Sequence, residues 1–174
     1  MAAIGGIDMA LWDIAGKALG VPVHKLIWHA CCAVGKTGEI KKKVMPYATV
    51  YPPGECVEEI IERFSLAKTR GFRAMKLEEW PGGFAHVSIQ RDAEIVRVVR
   101  ETIGDERDLL IDVQNQWYEV GQALASIAAI EQYHPFFIEA PLPADNLAGY
   151  ARLADAVNTR IAVGDWGFTT RFEF

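Results

Sequence analysis

Five short strand-like segments end near Tyr51, Glu78, Asp112, Glu139 and Asp165, at intervals of 27, 34, 27 and 26 residues. Nothing else in the 174-residue chain limits its fold so tightly. Helical patterns closed by glycine or proline fill the intervals. Val57, Ile60, Ile61 and Phe64 lead to Gly71; Ile95, Val98 and Val99 lead to Gly104; Leu124, Ile127 and Ile130 lead to Pro135. Each set is spaced for one helical face. A fourth set, Tyr150, Leu153, Ala154 and Val157, follows Asp145 and Asn146, either of which can cap a helix. Strands alternating with helices in this way are forced parallel, because each helix carries the chain back to the starting edge of the sheet.

Two architectures satisfy that rule, an open doubly wound sheet and a (β/α)8 barrel of which about five units are present. The chain reaches Phe174 just where the helix after the fifth strand should begin. A partial TIM-type barrel is therefore expected, with three further units, roughly 80 residues, outside the chain. Ahead of the repeat, Ile7, Leu11, Ile14 and Ala18 predict a helix over residues 5–19, with Gly20 as its cap and Pro22 as its stop. Residues 27–43 hold Trp28, His29, Cys31, Cys32 and the run Lys41 to Lys43 with no clean period, and read as an irregular connection. The expected division is residues 1–43 and 44–174.

Positions two apart in a strand share a face. Lys76 and Glu78 thus point one way, as do Leu110, Asp112 and Gln114, then Phe137 and Glu139, then Val163 and Asp165. Met75, Leu77, Leu109, Ile111, Phe136 and Ile138 point the other way. In a barrel the apolar set packs on the outer helices, and the charged set points inward at the carboxyl ends of the strands, where barrel active sites lie. Three successive strands then end in the carboxylates Asp112, Glu139 and Asp165. At separations of about 5 Å and an effective dielectric near 20, each pair repels by roughly 3 kcal/mol. Protonation would relieve this; so would a hard divalent cation, and an all-oxygen cage with open positions suits Mg2+. Lys76 enters the same mouth, either as a proton acceptor beside a cation or as a counter-ion to Glu78 or Asp112.

Composition narrows the alternatives. A formal net charge of -5 leaves no broad basic surface for nucleic acid. The longest apolar stretches, such as Ala123 to Ile130, fall far short of the roughly 20 residues that span a bilayer. Cys31, Cys32 and Cys56 are odd in number and lack C-x-x-C spacing, which points to a reducing, cytoplasmic setting. Gly35, Lys36 and Thr37 imitate the end of a phosphate loop, but no strand precedes them. His86, in the long loop after the second strand, can reach the mouth and touch substrate. Trp117 and Trp166 follow two of the acids, as pocket walls or as packing residues.

The segments "GGIDMALWDIAGKALGVPVHKL", "GFRAMKLEE", "LLIDVQNQW", "FFIEAPLPADNLAGYARLADAV" and "IAVGDWGFTTRFEF" resemble the mandelate racemase and muconate lactonizing enzyme family of the enolase superfamily. The resemblance implies a modified barrel behind an α+β capping domain, of which residues 1–43 would be the end and an irregular link. It implies a Mg2+ site on Asp112, Glu139 and Asp165, removal of the proton alpha to a substrate carboxylate by a base, and stabilisation of the resulting enediolate; Lys76 and Glu78 are this chain's catalytic candidates. Gln114, Asn115, Trp166 and His86 would face the substrate. Three positions depart from the family pattern. Lys-x-Lys becomes Lys76 and Glu78, Asp-x-Asn becomes Asp112 and Gln114 with Asn115 adjacent, and the fifth-strand Glu becomes Asp165. The implied activity is a lyase, a dehydratase for a sugar acid, in a full-length protein that forms homo-oligomers. The alternatives are a racemase, epimerase or cycloisomerase of the same family, or a non-catalytic barrel fragment, and the 174 residues alone are expected to be inactive.

Overall fold

The computed structural model describes residues 2–35, 37–51, 56–78 and 88–163. The chain divides into two units between Val44 and Met45. In the first, α1 (Ala2–Leu19) is followed by α2 (Val23–Ala33). Gly20, at φ 65°, ends α1 in the left-handed conformation a side chain disfavours. The Val21 amide then folds back onto the Gly16 carbonyl at 2.9 Å. A Cβ on Gly16 would stand 2.9 Å from the Val21 oxygen, so only glycine permits that return. The irregular connection expected from residue 27 onward begins instead as helix. Pro22 stops α1 and also serves as the N-cap position of α2, and Val23, Leu26, Ile27 and Ala30 carry the i, i+3, i+4, i+7 spacing that extends it.

The second unit runs β1 (Ala48–Val50), α3 (Val57–Thr69), β2 (Ala74–Glu78), α4 (Ile89–Ile103), β3 (Asp108–Asp112), α5 (Val120–Ile130), β4 (Phe137–Glu139), α6 (Leu147–Ala156) and β5 (Arg160–Ala162). All neighbouring strands are parallel, and their order in the sheet is their order in the chain. A doubly wound sheet would reverse direction at a switch point. Sequential order without reversal is how a β/α barrel is wound, and these are five of its units.

Met75, Leu77, Leu109, Ile111 and Ile138 from the strands are buried against Ile60, Phe64, Val96, Val99, Ile103, Ile127, Ile130 and Leu153 from the helices. Each such side chain removed from water contributes about 1.5–3 kcal/mol, so this layer holds the strands in place. Three residues assigned to it are not there, among them Ala154 of α6, which is exposed. Ile61 lies a helical step round from the buried line Ile60, Phe64, Ala67 and is exposed. Phe136 precedes the start of β4, below the helical layer, and is 43% exposed with the Arg160 guanidinium 4.7 Å from its ring. Of the two cap candidates for α6, Asn146 serves, its Oδ1 accepting the Gly149 amide at 3.0 Å. Trp117 is fully buried in this core, which settles it as a packing residue.

One buried cation ties the closed ends of three segments together. Arg100, on α4, donates Nε to the Tyr133 carbonyl at 3.0 Å and Nη2 to that of His134 at 3.1 Å. Its Nη1 donates to Gly104 at 2.9 Å and Arg107 at 2.7 Å. Burial lowers its pKa, and the nearby acids Asp105, Asp108 and Glu106 work the other way.

Candidate active site

Strand register brings the polar residues level. Glu78 pairs with Asp112, and Asp112 with Glu139, so three acids stand abreast at the carboxyl edge of β2, β3 and β4. Their side chains lie on the face opposite the helical core. Lys76 sits one pleat lower on the same face, and its four-carbon stem carries the ammonium up among them. Nζ donates to Asp112 Oδ2 at 2.7 Å and to Glu139 Oε2 at 3.1 Å, and stands 3.7 Å from Glu78 Oε2. The Asp112 side chain is 2% exposed, Lys76 8% and Glu139 21%. Burial opposes the ammonium, but the hydrogen bonds to Asp112 and Glu139 more than offset it and raise the Lys76 pKa above its ordinary value. Breaking such a buried pair from one side typically costs about 3–5 kcal/mol.

The backbone beside the acids is unusual. Gln114 and Asn115, at φ 51° and 61°, are consecutive left-handed residues without being glycine, and Ala140 follows at φ 46°. Sparsely populated conformations of this kind cost of order 1–3 kcal/mol each and persist only where surrounding contacts hold them. Here the contacts are the Val113 amide on Glu139 O at 2.9 Å, Asn115 on Ala140 O at 2.6 Å and Ala140 on Ala162 O at 2.9 Å. The turn aims Gln114 back into the mouth. Its amide N–H donates to Asp112 Oδ1 at 3.1 Å, and its Nε2 donates to Glu78 Oε1 at 2.7 Å.

The structure therefore gathers Lys76, Glu78, Asp112, Gln114 and Glu139 into one constellation. Asn115 is half-buried beside it and enters through its backbone. Asp165, Trp166 and His86 lie outside the described residues. On β5 the register sets Ala162 level with Glu139 and Ile161 level with Ile138. Ala162, not Val163, thus continues the inward face of β5. Two tyrosines escaped notice. The Tyr47 ring lies 5.9 Å from Lys76 Nζ. Tyr51 hydrogen-bonds Glu78, and that bond, ahead of burial, raises the phenol's pKa and keeps it protonated. Alternation along β1 was the available signal, since Thr49 pairs with Lys76 and Tyr51 lies two residues on.

Among the described residues no three His, Cys, Asp or Glu side chains converge as a metal cage. Two carboxylates do converge on a single cation, the Lys76 ammonium. All-oxygen donors already directed at one positive centre are the set a hard divalent ion takes, so the residues present fit such an ion.

Sequential parallel winding with an acidic, cation-centred mouth defines the chain as part of a β/α barrel with its polar site at the carboxyl edge of the strands. Residues 59–174 match the enolase C-terminal domain-like family, and residues 1–28 match the mandelate racemase / muconate lactonizing enzyme N-terminal domain. The chain belongs to the mandelate racemase / muconate lactonizing enzyme family of the enolase superfamily. It is 35% identical to a D-galactonate dehydratase of Ralstonia nicotianae over 179 residues, covering 100% of this chain and 43% of that protein. The 3,6-anhydro-D-galactonate cycloisomerase of Zobellia galactanivorans superimposes with a TM-score of 0.76 at 30% identity, over 94% of this chain and 41% of the other. D-glucarate dehydratase of Agrobacterium tumefaciens, in complex with magnesium, gives 0.74 at 29%, over 89% and 39%. The chain spans less than half the length of the curated relatives it matches.

Proposed function

We propose that the protein to which these residues belong is a Mg2+-dependent dehydratase of a sugar acid. The observation that carries this reading is the row Glu78, Asp112 and Glu139 with Lys76 drawn into it. The dehydratase relatives support the substrate class. Asp112 and Glu139 would hold the ion together with Asp165. When bound, Mg2+ supplies positive charge against the substrate carboxylate, where negative charge grows as the alpha proton leaves.

The chain's own residues supply the rest. Lys76 or Glu78, both on the inner face of β2, accepts the alpha proton; the electron pair left behind expels the β-hydroxyl, which departs as water once protonated, and the enol tautomerises to a 2-keto acid. Lys76 can take the proton only as the free amine, after leaving its two carboxylate partners and giving up its own proton to solvent, whereas Glu78 is held in place by Gln114 and Tyr51. Gln114 and Asn115, with Trp166 and His86, are the proposed substrate contacts. Turnover also needs a donor of a proton to the leaving hydroxyl, a role assigned to none of these residues, and the 174 residues by themselves are expected to bind without turnover. The cycloisomerase similarity favours a second reading, in which the same proton abstraction leads to ring rearrangement.

The test is to incubate the full-length protein and Mg2+ with D-galactonate, D-gluconate and D-glucarate and follow the 2-keto acid product. Turnover lost in Asp112→Asn is expected. Turnover unaffected by Asp112→Asn, or racemisation or cyclisation without loss of water, would overturn the dehydratase reading.

A further inference from the structure

We propose that Lys76 is the resident cation of the Asp112 and Glu139 pair, and that a divalent ion enters only by exchange, with the ammonium passing from these carboxylates to Glu78. The inference rests on the metal-site reading above and deepens it. The atoms in contention are specific. Asp112 Oδ1 is engaged by the Gln114 amide, and Asp112 Oδ2 is the oxygen Lys76 holds at 2.7 Å. At 2% exposure the Asp112 side chain leaves an incoming ion little free surface beside the lysine.

Mg2+ requires its oxygens at about 2.0–2.1 Å. An ammonium hydrogen-bonded to the same oxygen would stand in or beside the ion's shell, with like charges in near contact. The two cations therefore compete for that oxygen. The second station is already built. Glu78 Oε1 is fixed by the Gln114 side chain at 2.7 Å, and Oε2 stands 3.7 Å from Nζ, so a small rotation of the lysine stem completes that pair. Gln114 thus serves both stations at once, restraining Asp112 through its main chain and Glu78 through its side chain. Where Lys-x-Lys relatives would place a second positive charge, this chain places the acceptor that receives the first.

The test is titration calorimetry of the full-length protein with MgCl2. Removing a unit positive charge roughly 4 Å from the ion should tighten binding in Lys76→Met by about tenfold or more at an effective dielectric near 20. Lys76→Arg keeps the charge and should show no tightening, and Glu78→Gln, which removes the second station, should weaken binding. Should Lys76→Met not fold, wild-type crystals soaked in MnCl2 decide the matter. Lys76 Nζ is then expected on Glu78 and out of hydrogen-bond distance of Asp112.

Folded Lys76→Met that binds no more tightly than wild type, or an ammonium still on Asp112 with the ion bound, would overturn the exchange. If wild type binds and Asp112→Asn does not, that failure leaves the metal reading standing. If neither wild type nor folded Lys76→Met binds Mg2+ or Mn2+, the metal reading falls and the exchange falls with it.

Discussion

Replacing Arg100 with methionine removes one side chain and unties four carbonyls, those of Gly104, Arg107, Tyr133 and His134. Hydrogen bonds from a charged donor are worth about 1.5–3 kcal/mol each, or roughly 6–12 gross for the set. Burying the guanidinium of Arg100, a residue 9% exposed, cancels several kcal/mol of that. Methionine recovers part of the packing, and water can rehydrate the carbonyls nearest the surface. The net loss should be about 3 kcal/mol, a large share of the 5–15 kcal/mol that holds an ordinary domain together. With a urea slope of about 2 kcal/mol per molar, the unfolding midpoint should fall by roughly 1.5 M. Arg100→Lys should recover less than half of this, because one ammonium cannot span carbonyls on separate segments. A midpoint shift below about 0.3 M in Arg100→Met would refute the assignment of Arg100 as the tie between α4, β3 and the turn into β4.

Asp92 is buried in the first turn of α4, its Oδ1 has no hydrogen-bond partner among the described residues, and burial pushes its carboxyl up to about 7. In the unfolded chain the same group ionises near 4. The folded chain therefore binds more proton between about pH 4 and 7, and this group's contribution to stability is lost as pH rises through that window, by up to about 1.4 kcal/mol per unit. Urea unfolding at several pH values should show Asp92→Asn with a flatter dependence; an unchanged slope would mean the carboxyl is not held protonated. Asn146→Ala removes the cap on the Gly149 amide and should cost about 1 kcal/mol by the same assay. A loss within error would show that water replaces the cap.

Much of the barrel could be read from local pattern. β2, β3 and β4 end at Glu78, Asp112 and Glu139 as the sequence predicts, because apolar residues alternate with polar ones and charged residues mark where each strand leaves the core. Their convergence was readable for the same reason, since equal register on adjacent parallel strands brings equal positions together. What escaped was set by longer-range or overlapping signals. α2 was hidden because its apolar positions begin at Val23, directly after the proline that ends α1. Phe136 was misplaced because alternation gives a face but not the point where covering helices stop. Tyr51 joins the site only through the β1 and β2 pairing, which no property of its own neighbours announces. The partner of Lys76 stayed open for a similar reason: three acids lay within reach, and only coordinates distinguish 2.7 Å from 3.7 Å.

The sheet's sequential order also bears on how the molecule is made. Every strand pairs with the one before it in the chain, so each new β/α unit needs only its predecessor as a template. A ribosome adding about 5–20 residues per second takes on the order of a few seconds to deliver one unit. Closing a short loop and forming a helix take microseconds or less. Docking of each unit can therefore keep pace with synthesis, and the Asp112 and Glu139 carboxylates meet the Lys76 ammonium in the order in which they leave the exit tunnel, the lysine first. Each carboxylate thus docks beside a strand on which its cation partner is already placed.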